Sequence, residues 1–165
     1  MRFLGALLLM FSIQVVADDV IGLLQGYEWE VPSAPLPIAN AEETLIEISS
    51  DPNQPSFIRA RASAALMRYP SDQVWDFYAE QVTSAPGKVS LRRTVDTLCA
   101  TFVDSKAVDV QKLLMPLLSA EDPHLRVRVA KCLKQIDTQA VRRALSAYQS
   151  GIGQGWELDA TGLLQ

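Results

Sequence analysis

Three stretches of this chain carry apolar side chains at one spacing. Ile58, Ala62, Ala65, Leu66 and Tyr69 form the first set. Leu91, Val95, Leu98, Cys99 and Phe102 form the second, and Leu125, Val129, Cys132, Leu133 and Ile136 the third. Each set falls at offsets 0, 4, 7, 8 and 11 from its first member, which places it along one face of an α-helix. The first members stand 33 and then 34 residues apart, and each is followed by arginine: Arg59, Arg92 and Arg126. A fixed period of this size is the mark of a repeat fold, in which each unit is too thin to bury its own apolar face and does so by stacking on its neighbours.

Other helical patterns fill the intervals. Ala41 to Ser50 carries Leu45, Ile46 and Ile48. Ser71 to Val82 carries Val74, Phe77 and Tyr78, Val108 to Ser119 carries Leu113 and Leu114, and Thr138 to Tyr148 carries Val141 and Leu145. Asp51-Pro52, Ala85-Pro86-Gly87 and Asp122-Pro123 punctuate them as turns. Ser71 and Thr138 are suited to cap helix starts, Pro70 stops the first repeated helix, and Pro116 should kink the helix that contains it. No stretch alternates with period two over any length, so no strand is expected. The order is an A helix and a B helix three times over, then a last A helix, an all-α chain with its repeat domain at 41–149.

Within this pattern, Leu113-Leu114-Met115-Pro116-Leu117-Leu118 followed by Asp122-Pro123-His124-Leu125-Arg126-Val127-Arg128-Val129-Ala130-Lys131-Cys132-Leu133 resembles a HEAT repeat. The proline in helix A, the Asp-Pro turn, the apolar-Arg pair and the leucine eight residues on carry the resemblance. The first repeat keeps Asp51-Pro52, Ile58-Arg59 and Leu66. The second departs, with Ser84-Ala85-Pro86-Gly87 at the turn and Cys99 in place of the leucine. The resemblance covers residues 41 to 148 and implies a short right-handed α-α solenoid, a HEAT-like superhelix. It is nearly silent on function, because such modules serve as scaffolds, adaptors and occasionally enzymes.

In HEAT repeats an arginine at offset 1 pairs with a turn acid and ties neighbouring repeats together. The resemblance therefore implies a structural ladder of Arg59, Arg92 and Arg126 with Asp51 and Asp122. A basic ladder for an anionic partner is the functional alternative. The outward face of the B helices would line the concave surface. Its positions are Ala60, Ser63, Ala64 and Met67, then Arg93, Asp96, Thr97 and Ala100, then Val127, Ala130, Lys131 and Lys134. One end of that face is small and apolar and the other basic, which suits a docked polypeptide. Met67, Arg93, Val127, Lys131 and Lys134 are the candidate partner-binding residues. Good helix propensity alone would also account for the small residues.

The start of the chain has the pattern of a signal peptide over residues 1–17: Arg2, an apolar run from Phe3 to Ile13, and Val15-Val16-Ala17 before a cut at Asp18. The run is short of the ~20 apolar residues that a membrane span needs. Residues 18–40 read as an N-terminal cap held by Tyr27 and Trp29 and extended by Pro32, Pro35 and Pro37, or as a flexible arm. Residues 150–165 form a glycine-rich tail whose Trp156, Leu158, Leu163 and Leu164 either fold back on the last helix or serve as a docking motif.

The chain has 165 residues and a net charge of −4, which argues against a general nucleic-acid binder. Cys99 and Cys132 match no metal pattern and sit on the core faces of adjacent B helices. A buried free thiol is the favoured state and a bridge the alternative, because packed helix axes lie about 8–10 Å apart. His124 is the one histidine, so no His-rich metal site can form, and no phosphate-binding glycine loop occurs. No cofactor and no catalytic group is indicated. The expectation is an exported, periplasmic or secreted, monomeric adaptor or scaffold that binds another protein. The alternatives are an enzyme accessory, as HEAT-like lyases allow, and a component that stacks on copies of itself.

Overall fold

A computed structural model describes residues 17–84 and 87–163. The chain is all-helical, and no strand occurs among the described residues. Residues 17–24 are helical (α1). They are followed by α2 (Ala41–Ser50), α3 (Ser56–Ala65), α4 (Asp72–Ser84), α5 (Lys88–Phe102), α6 (Ala107–Leu114), α7 (Pro123–Leu133), α8 (Gln139–Ser150) and α9 (Gly155–Thr161). Short 3-10 turns, Leu66–Arg68 and Met115–Ser119, follow α3 and α6. The signal-peptide pattern lies outside the described residues apart from Ala17, as do Ala85-Pro86 of the second turn. No helix among the described residues is long and apolar enough to cross a membrane.

Two compact units divide the chain, Met1–Val74 and Trp75–Gln165. In the first, α2 packs on α3 through Leu45, Ile48, Ile58, Ala62 and Ala65, all buried. The alanines let the two backbones approach closely, and each buried Leu or Ile contributes about 1.5–3 kcal/mol. Three side chains stitch the N-terminal segment to α3 and the turn after it. Arg61 donates to the carbonyls of Leu24 (2.6 Å) and Gly26 (2.9 Å). Arg68 donates from Nε to the carbonyl of Pro32 (2.5 Å), and the Tyr69 hydroxyl accepts from the Leu36 amide (2.7 Å). Prolines at 32, 35 and 37 keep this stretch extended and outside any ladder, so its backbone groups are open to such bonds. Val20 and Leu24 of α1 are buried, and Trp29 lies under the Arg61 guanidinium. Tyr27 is 100% exposed, so it is not an anchor of this cap as the sequence led us to expect.

In the second unit, α5, α7 and α9 form a row, with α7 packed against both of the others. Trp75 and Tyr78 of α4 meet Phe102 of α5 edge-on. The repeated apolar positions of all three repeats are buried, except Leu91 and Tyr69, which are half-buried. Pro116 ends α6 at Leu114 rather than kinking it, and it sits at the start of a 3-10 turn, where a missing N–H costs nothing. Thr138 and Ser71 cap as expected, each accepting from the amide three residues on.

The tail forms helix α9, which packs beside α7. Two glycines make this closure. Gly162 takes φ +65° at the end of α9 and carries the Leu163 amide back to the Leu158 carbonyl. At Gly153 a Cβ would stand 2.6 Å from the Leu158 side chain.

Cys99 of α5 and Cys132 of α7 are joined by a disulfide, with Cα atoms 5.8 Å apart. This corrects the expectation of free thiols. The axis spacing of packed helices overstates the distance between residues on the flanks that face each other, and these two cysteines lie on such flanks.

A candidate partner-binding groove on helices α5 and α7

The repeated arginines meet three different fates. Arg92 on α5 reaches Asp122, the N-cap of α7, with two hydrogen bonds of 2.6 Å in a fork-to-fork pair. Asp122 also accepts from the His124 amide, so one carboxylate caps α7 and ties it to α5. The Arg92 guanidinium holds the Asp122 carboxyl below its ordinary range.

Arg126, one repeat later, is buried and pairs with Glu157 of α9 at 3.0 and 2.5 Å. Glu157 is fully buried and also accepts from the Tyr148 hydroxyl (2.7 Å). Burial alone would push the Glu157 carboxyl up. Its bonds to Arg126 and Tyr148 outweigh that and hold it below the usual range, while burial and the neighbouring carboxylate push the Tyr148 hydroxyl up.

Arg59 has its Nε buried without a hydrogen-bond partner. Asp51 instead folds onto its own turn, accepting from the Asn53 amide and side chain (both 2.9 Å). The implied Asp51–Arg59 pairing is therefore not formed. Each paired arginine takes a carboxylate 30 or 31 residues ahead. The stretch that opens the second repeat, Ser84 to Lys88, offers none.

Beside the Arg92–Asp122 pair lies a groove of about 230 Å³ lined by Arg92, Asp96, His124, Val127, Arg128 and Lys131. An ion pair from Arg128 to Asp96 spans it from α7 to α5. Val127 is almost fully buried within it. Lys131 is exposed and makes no ion pair among the described residues. His124 leans on Trp156 of α9, ring centroids 5.2 Å apart.

The structure thus brings together two of the candidate partner-binding residues, Val127 and Lys131, in one depression. Arg93 is exposed on α5 beside it and has no ion pair among the described residues. Lys134 is engaged elsewhere. Its ammonium donates to the carbonyls of Thr161 (2.7 Å) and Gly162 (3.2 Å), closing the C-terminus of α9. Met67 is half-buried in the 3-10 turn after α3 and belongs to the first unit. Ala130, expected on the outward face, is fully buried, because α7 has a helix on each flank.

Sequence reasoning missed Glu157 as a site neighbour and left Trp156 between folding back and docking. The 31-residue step from Arg126 to Glu157 was the available signal. Among the described residues, no group of three or more His, Cys, Asp or Glu could hold a metal ion. Comparison with known proteins finds no matching family, no matching curated protein and no matching solved structure.

Proposed function

We propose that the chain is an exported protein-binding module, a short right-handed HEAT-like solenoid that engages a partner polypeptide through the outward face of its B helices. The groove between α5 and α7 carries this reading: a preformed depression with an almost buried valine beneath it and charged walls held by ion pairs. Rigid, pre-set side chains lower the ordering cost of association. The period of 33 and 34 residues and the A–B helix order support the repeat architecture. A disulfide between adjacent B helices suits an oxidising compartment, in line with the signal-peptide pattern. The two together support a periplasmic or secreted location.

Affinity capture tests the proposal. The protein from Asp18 onward, with its disulfide intact, is used to draw partners from the envelope or secreted fraction of its source. One stoichiometric protein retained by the wild type and lost with Lys131→Glu is the expected result. Retention that Lys131→Glu leaves unchanged would remove the α5–α7 face from the account.

A further inference from the structure

The charge on the α5–α7 face runs opposite to that of the chain. The protein carries −4 overall, yet the groove is lined by Arg92, Arg128 and Lys131 against the single carboxylate of Asp96. Asp122, buried beside Arg92, answers that arginine, and Asp96 answers Arg128. Lys131 is the cation left over inside the groove, and Arg93 is a second one on its α5 side. The apolar contribution comes from Val127 and from the His124–Trp156 pair, with Trp156 45% exposed.

We infer that the groove receives an acidic segment of the partner polypeptide, with an Asp or Glu carboxylate set against Lys131 and an adjacent apolar side chain against Val127 and Trp156. This rests on the proposed protein-binding role and names the chemistry of the partner. Charge complementarity selects the occupant. Asp122 and Asp96 already answer the two arginines, so Lys131 is the cation left in the groove for an incoming carboxylate. A basic segment would face Lys131 and Arg93, and the one carboxylate of the groove lining, Asp96, is already paired with Arg128. The volume, about 230 Å³, suits one or two side chains of an extended segment rather than a whole helix.

The test is selection from a displayed library of random peptides against the disulfide-bonded protein from Asp18 onward. Selected peptides should be several-fold enriched in Asp and Glu. Their binding should weaken roughly tenfold with Lys131→Glu and about threefold with Lys131→Gln, and should weaken as salt rises from about 0.05 to about 0.5 M. Lys112→Glu, on the exposed side of α6 and outside the groove lining, should leave it unchanged. All of these sites are exposed, so folding is not at stake, and a thermal melt verifies it. Peptides without acidic enrichment that bind equally well to Lys131→Glu would overturn the inference and leave the protein-binding role standing. Failure to select any peptide would also overturn it, and the capture experiment would then decide the broader role by itself.

Discussion

The two units secure their repeats by different chemistry. In the first, arginine and tyrosine side chains bond to backbone groups of the N-terminal segment: Arg61 to Leu24 and Gly26, Arg68 to Pro32, Tyr69 to Leu36. In the second, arginines bond to carboxylates, Arg92 to Asp122 and Arg126 to Glu157, and a disulfide adds a covalent tie. The repeated arginine is the same residue at the same offset in both. What differs is whether a carboxylate stands about 30 residues ahead. Where it does, the guanidinium joins two helices. Where it does not, as at Arg59, the Nε is buried unanswered.

The sharpest test of this contrast is Glu157→Ala. It leaves Arg126 buried without its counter-ion and Tyr148 without its acceptor, and should cost about 4 kcal/mol in urea unfolding. A loss under about 1 kcal/mol would mean that the pair does not secure α9. Reducing the disulfide comes next. Opening a 33-residue separation should cost about 3 kcal/mol, read as a lower melting temperature in reductant. By hydrogen exchange the loss should fall on residues 75–163 and spare 17–74.

Gly162→Ala should cost about 1 kcal/mol, since alanine resists the left-handed turn that ends α9 and its Cβ would crowd the Lys134 ammonium. The smallest effect belongs to Arg59→Met. Removing a buried donor that has no acceptor should change stability by less than about 0.5 kcal/mol, or raise it. A large loss there would show that Arg59 has a ladder role after all.

Acid should separate the two units further. Asp122 and Glu157 have folded-state values below their ordinary 3.8 and 4.5. A depressed carboxylate contributes its stability fully above the unfolded value and loses it as pH falls through the folded one. The second unit should therefore begin to loosen as pH falls through the ordinary values of 4.5 and 3.8, and go on losing stability below them. The backbone acceptors that secure the first unit do not titrate, so hydrogen exchange in acid should rise first at α7 and α9.

Most of the fold was legible because it is written in periodicity. The offsets 0, 4, 7, 8 and 11 located the buried faces of α3, α5 and α7, Ser71 and Thr138 marked helix starts, and Asp122-Pro123 marked a turn. Interactions that depend on close approach were not legible. The disulfide needed the actual separation of two facing flanks rather than a mean helix spacing. Helix α9 was hidden by Gly151, Gly153 and Gly155, which read as a loop although Gly153 is what allows Leu158 to pack. Half of the groove was visible as Val127 and Lys131 on one helix face. Its other wall depends on ion pairs between helices, and the acceptors of Lys134 were not legible because they belong to α9 and the turn that ends it.

The central claim is that the α5–α7 face is where this protein meets another. A photo-crosslinking side chain placed at position 131, and separately at position 112, tests it in the intact source fraction. The account predicts a crosslink to one protein from position 131 and none from position 112. A crosslink from 112 alone, or none from either position in a folded protein, would contradict it.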